Sequence, residues 1–194
     1  MGIAGPKVLS ATFELNTMGM KSPLTSSAQA AKLSPFFEPP MMATVDLATG
    51  AFNKFTGVGL GIPNGLAMAS DDGIAMTTTE LDFSVQFYDL LNGFARNMPI
   101  PGATNQIQSA TDVEYDPLHK LFFVAQPVSS ATPAGSTIHV YDLSDSYVKA
   151  LNGFNFVDSR FNIEPVHIAL NPSRRLGYVD GPDAGFTQLQ QFRY

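Results

Sequence analysis

Along this chain, apolar and polar residues alternate in short runs that stop at clusters of Asp, Asn, Pro and Gly, and the runs recur as sets. Glu164–Val179 (EPVHIALNPSRRLGYV) superimposes without a gap on Ser109–Val124 (SATDVEYDPLHKLFFV) and on Ile62–Thr77 (IPNGLAMASDDGIAMT). Each copy reads as an alternating strand, a polar turn (NPSRR, DPLHK, SDDG) and a second strand rich in aliphatic and aromatic residues. Period-2 alternation broken by turn formers predicts consecutive antiparallel strands. Recurrence at roughly 40–55 residues predicts a repeat architecture.

A hairpin follows each copy. VQFYDL-LNG-FARNMP (Val85–Pro99) matches IHVYDL-SDS-YVKALN (Ile138–Asn152), and MATVDL-ATG-AFNKFT (Met42–Thr56) is an earlier version of the same unit. Asp46, Asp89 and Asp142 hold equivalent places before the turn, where a carboxylate accepts backbone N–H groups and favours a tight reversal. A full repeat is therefore four strands: a (Thr111–Asp116), b (Lys120–Gln126), c (Ser136–Asp142) and d (Tyr147–Leu151). The whole chain reads b-c-d, a-b-c-d, a-b-c-d, a-b-c. Lys7–Thr12 is the first strand b, and Val166–Asn171, Arg175–Asp180 and Thr187–Tyr194 are the last a, b and c.

Four antiparallel strands per repeat predict an all-β fold of β-propeller blades. The expected organisation is one partial propeller over residues 1–194. Blade 1 is residues 1–57, with a Ser/Ala/Pro/Met-rich insertion at 14–40 and a weak helical patch near Ser26–Leu33. Blades 2, 3 and 4 are residues 62–99, 109–156 and 164–194.

SATDVEYDPLHKLFFV with STIHVYDL, and EPVHIALNPSRRLGYV with TQLQQFRY, resemble repeats of the lactonase-type propellers, which include bacterial phosphogluconolactonases and the YVTN surface-repeat proteins. IPNGLAMASDDG resembles the PNGLA…DG segment of the gluconolactonase/regucalcin family. The first resemblance implies a small lactone, sugar-derived or other, as substrate. The second implies that Asn64 helps to hold a divalent cation such as calcium. The positions equivalent to Asn64 are Thr111 and Val166, so the other ligands of such a site are not evident. Calcium wants six to eight oxygens. Apart from that cation, no cofactor is expected. These families close rings of about six or seven blades, whereas this chain supplies about four.

A blade needs a neighbour on each face, and an uncovered face marks an interface. The sequence therefore predicts that another protein chain, a second copy or a different one, completes a ring or larger assembly. A closed four-bladed ring and a fragment of a longer product are the alternatives. The chain is 44% hydrophobic and 14% charged, which suits a packed core rather than a disordered chain. Its net charge of −6 argues against nucleic acid or an anionic membrane as partner. No apolar run approaches a membrane span and no secretory signal is visible; a processed periplasmic or extracellular chain stays open. Cysteine is absent, which removes disulfides, thiolate metal sites and a thiol nucleophile.

If the strands run up and down each blade, the short a-b and c-d turns share one end and the long connections share the other. Function gathers on variable loops, so the long-loop end, where strand a begins, is the candidate site. Asn64 and Gly65, Thr111 and Asp112, and His167 open the three first strands and are expected to point toward the axis. Gly65, Asp112 and His167 are equivalent in the ungapped alignment. A carboxylate and an imidazole at one channel mouth suit ligand binding, cation binding or general acid–base catalysis, with Asp112 and His167 the catalytic candidates and Asn64 a ligand-binding one. The plainer reading of each is a hydrogen-bonded strand cap. His119 is expected in a solvated turn, His139 packed between blades or against water, and Arg174 and Arg175 in a solvated turn. No phosphate loop, nucleophile elbow, HExxH or EF-hand loop occurs. Two functions follow: a binding and assembly module, or a lactonase-like hydrolase.

Overall fold

A computed structural model describes residues 9–14, 41–46, 49–56, 62–80, 84–102, 110–127, 136–154, 166–183 and 186–194. They form four antiparallel sheets, each a plain up-and-down meander. Sheet 1 is β1 (Leu9–Glu14), β2 (Met41–Asp46) and β3 (Phe52–Thr56). Sheet 2 is β4 (Ile62–Ala69), β5 (Ile74–Glu80), β6 (Ser84–Asp89) and β7 (Phe94–Pro99). Sheet 3 is β8 (Asp112–Asp116), β9 (Leu121–Gln126), β10 (Ser136–Asp142) and β11 (Tyr147–Phe154). Sheet 4 is β12 (His167–Asn171), β13 (Leu176–Asp183) and β14 (Phe186–Arg193). The tally b-c-d, a-b-c-d, a-b-c-d, a-b-c read from the sequence is the one observed. Among the described residues the one helical turn is a 3-10 turn at Pro172–Arg174. The insertion beyond Glu14, its helical patch and most of the long connections lie outside the described residues. The b-c connection of sheet 4, expected to be long and irregular over Gly181–Phe186, is instead short, because β13 and β14 stay paired as far as Asp183 and Phe186.

The turns explain why sequences as different as SDDG and DPLHK align. Gly73, Lys120 and Arg175 occupy the same place at the end of the a-b turn, and all three are left-handed, with φ of 67°, 56° and 52°. Glycine adopts that conformation freely, while Lys and Arg do so at a cost of about 1 kcal/mol. The c-d turns are held as expected by their aspartates. Asp89 accepts the N–H groups of Leu91 and Asn92, and Asp142 those of Ser144 and Ser146. The side chain of Asp46 lies outside the described residues.

Alternation along the strands decides which seam each side chain fills. On β9, Phe122 and Val124 turn toward sheet 2 and pack with Ala67, Met76, Phe87 and Val113. Phe123 and Ala125 turn the other way, against Ile168, Val179 and Phe192 of sheet 4. Ala75 and Tyr88 form a third cluster on the opposite face of sheet 2. Full burial of an aromatic or aliphatic side chain stabilises by about 1.5–3 kcal/mol, so among the described residues the seams between sheets 2 and 3 and between sheets 3 and 4 are held mainly by these side chains. Contacts between sheets concentrate on the first strands, β4 beside β8 and β8 beside β12. That is a radial arrangement, with the first strands innermost.

Candidate functional site

The first strands bring the predicted residues together, but sideways rather than toward an open axis. Val113 and Tyr115 belong to the sheet 2 seam, so Asp112, Glu114 and Asp116 on the other side of β8 face sheet 4. Asp112 reaches across it: its Oδ2 accepts the backbone N–H of Ile168 at 2.8 Å. The equivalent residue in sheet 2, Gly65, is buried with its own N–H on Thr78 Oγ1 at 2.8 Å. A Cβ there would lie 2.8 Å from the Val113 nitrogen and 2.9 Å from the Asp112 Cα. Val113 and Ile168 are themselves equivalent. In both seams, therefore, the residue at the Gly65/Asp112 position meets the N–H one place further along the next sheet's first strand.

In sheet 4 this position is His167. Its side chain is exposed and its backbone N–H is taken by Asp180 Oδ1 at 2.8 Å. Burial raises the pKa of Asp112, despite the N–H groups of Ile168 and Val113 and the nearby His167 charge, and Asp180 adds to the rise. Asn64 is exposed, while Thr111 is half-buried with its N–H on the Ala125 carbonyl. Among the described residues no group of three or more His, Asp or Glu side chains is placed to hold a metal ion.

A second cluster escaped the sequence reading. Asp116 is fully buried and accepts the N–H groups of Leu118 and His119, the His119 Nδ1 at 2.7 Å and the Tyr194 hydroxyl at 2.7 Å. Burial opposes its charge, but the hydrogen bonds from Tyr194, His119 and the turn outweigh it and lower the pKa. His119, expected in solvent, is instead tied into this network, edge-on to the Tyr194 ring. The available signal was an Asp three residues before a His in a turn; the Tyr194 partner, 78 residues away, had none. His139 is buried as expected, with Nε2 2.7 Å from Gln126 Oε1, and burial lowers its pKa to about 4.

A cavity lies at the other end of the first strands from the predicted mouth. Its volume is about 640 Å³, and it is lined by β4, β8, β12 and the a-b turns.

No protein-family model matches the chain, and no curated protein matches it in sequence. Among solved structures it is similar to a chain in the crystal structure of a nidogen/laminin complex. The two share 14% identity at a TM-score of 0.56, over 81% of this chain and 56% of that one. It is also similar to Kuenenia stuttgartiensis hydrazine synthase, at 12% identity and a TM-score of 0.56, over 79% of this chain and 40% of that one. Both are β-propellers, and the fold here is a propeller fold. The chain spans roughly half the length of the neighbours it matches. Among the described residues no helix is long and apolar enough to cross a membrane.

Proposed function

We propose that this chain is a β-propeller binding and assembly module, and that the outer face of its last sheet is covered by a sheet of another protein chain. The observation that carries this reading is the exposure of that face. His167, Ala169, Gln191 and Arg193 are exposed on it, and Leu189 is 71% exposed. Sheets 2 and 3 cover the equivalent faces with a neighbouring first strand, and the His167 position is the one that meets such a neighbour in both existing seams. The face is more mixed than a bare apolar flank, which suits a partner that associates rather than a permanent core. That one structural neighbour comes from a protein–protein complex is compatible with this role.

Light scattering on the purified chain, paired with binding of an apolar dye, tests the proposal. A second copy as partner gives a mass above 20.8 kDa. A different partner leaves the single-chain mass with dye bound to the open face. Leu189→Lys removes either signal without lowering the melting temperature. A compact monomer that binds no dye contradicts the proposal.

The hydrolase reading, on a small lactone through Asn64, Asp112 and His167 with or without calcium, keeps one support: Asp112 is bonded to the backbone N–H of Ile168, the residue next to His167. Against it, the Asp112 carboxylate is already engaged by two backbone N–H groups. Lactone turnover abolished by His167→Ala favours it, and absence of turnover with and without calcium removes it.

A further inference from the structure

The cavity between the first strands has a charge balance that identifies what it can hold. Its walls are apolar at Leu66, Met68, Leu170 and Pro172, and its volume of about 640 Å³ lies within the usual range of small-molecule sites. Three carboxyl groups line it (Asp71, Asp72 and Glu114) against one ammonium, Lys120. That ammonium is already spent: Lys120 Nζ lies 2.8 Å from Asp72 Oδ1, and Asp72 also receives the Tyr115 hydroxyl. Glu114 has no such partner. It is half-buried, its carboxylate takes the N–H of Tyr115, and no side-chain donor among the described residues reaches it.

We propose that this cavity binds a small organic cation, an amine with an apolar body, whose ammonium sits against Glu114 while its hydrocarbon lies on Leu66, Met68 and Leu170. An anion is disfavoured by Glu114 and Asp71. A neutral apolar ligand would leave a half-buried carboxylate with less water and no counter-charge, which is costly. Burial, with the like charge of Asp112, raises the Glu114 pKa, and a bound ammonium would relieve both effects. The site is separate from the outer face of sheet 4 and does not depend on it.

The test is calorimetric titration of the intact chain at pH 7 with hexylammonium chloride, with sodium hexanoate and hexanol as matched probes. Hexylammonium is expected to bind and hexanoate not to bind. Glu114→Gln, which keeps the size of the side chain, is expected to weaken hexylammonium at least tenfold with no change in the melting temperature of the free protein. Asp71→Asn, at the exposed mouth, weakens it two- to threefold and serves if the first variant does not fold. Affinity falls as the pH drops through the raised pKa of Glu114. No binding of hexylammonium at millimolar concentration, equal binding of hexanol, or undiminished binding by both variants overturns the proposal.

Discussion

Between sheets 2 and 3 the first strands meet as bare backbone, Gly65 against Asp112 and Val113; between sheets 3 and 4 a carboxylate joins them, Asp112 on the N–H of Ile168. The rims differ in the same way. The first seam is bridged at its surface by ion pairs, Lys120 with Asp72 and Arg96 with Asp145, which at such exposure contribute at most about 1 kcal/mol each. The second is closed by the buried Asp116 receiving Tyr194, a charge-assisted bond in a desolvated place and therefore the stronger kind. One repeat thus supports two ways of seating a neighbour: close steric approach, or a side chain that clasps the neighbour's backbone.

Acid separates the two seams and gives the largest expected effect. His139 lies on the face of β10 turned to sheet 2, paired across from Val124. Its folded pKa of about 4 is below the usual 6.5, so the unfolded chain takes up the proton first. The stabilisation from keeping this imidazole neutral is complete above pH 6.5 and is lost as the pH falls to about 4, an effect of about 3 kcal/mol. Asp116 has a lowered pKa, so its contribution persists through that window and is lost only below the usual carboxylate range. Urea unfolding at pH 7 and pH 4.5 should show the His139 loss, and His139→Gln should flatten it. Gln is the residue sheet 2 carries at the equivalent place, Gln86, where it is fully buried. A pH dependence unchanged in the variant would place the acid sensitivity elsewhere.

Gly65→Ala ranks next. The new Cβ would press on backbone atoms of β8 at 2.8 and 2.9 Å, which cannot swing aside as a side-chain tip can. Overpacking of this kind costs about 2 kcal/mol. The loss should be much the same at pH 7 and pH 5, since the two closest contacts are with backbone atoms. A neutral substitution would mean that the first strands are further apart than the radial packing requires.

The fold was legible because it is written in local patterns. Alternation, turn aspartates and the ungapped repeat give strand number, order and sheet membership without any knowledge of distant contacts. Asp89 and Asp142 act on residues two to four places away, which is why their roles could be read directly. The candidate site was legible only as a position. The Gly65/Asp112/His167 equivalence follows from the alignment, but the target of Asp112 lies 56 residues away on another sheet. The expectation that these side chains meet across a channel mouth overlooked the pleat, which turns alternate residues of a first strand toward the sheets on either side. The cavity was invisible for a related reason: its lining comes from the first strands and a-b turns of three different sheets.

The smallest of these effects is also the most direct measurement of how one sheet seats on the next. If the Asp112 carboxylate holds the Ile168 N–H, amide hydrogen exchange at Ile168 is slow in the natural protein. In Asp112→Ala it accelerates about tenfold, equivalent to about 1.4 kcal/mol, while amides in the middle of β13 keep their rates. Exchange at Ile168 that is already fast, or that is indifferent to Asp112→Ala, would contradict the clasp and with it the inference that His167 marks where a further sheet would sit.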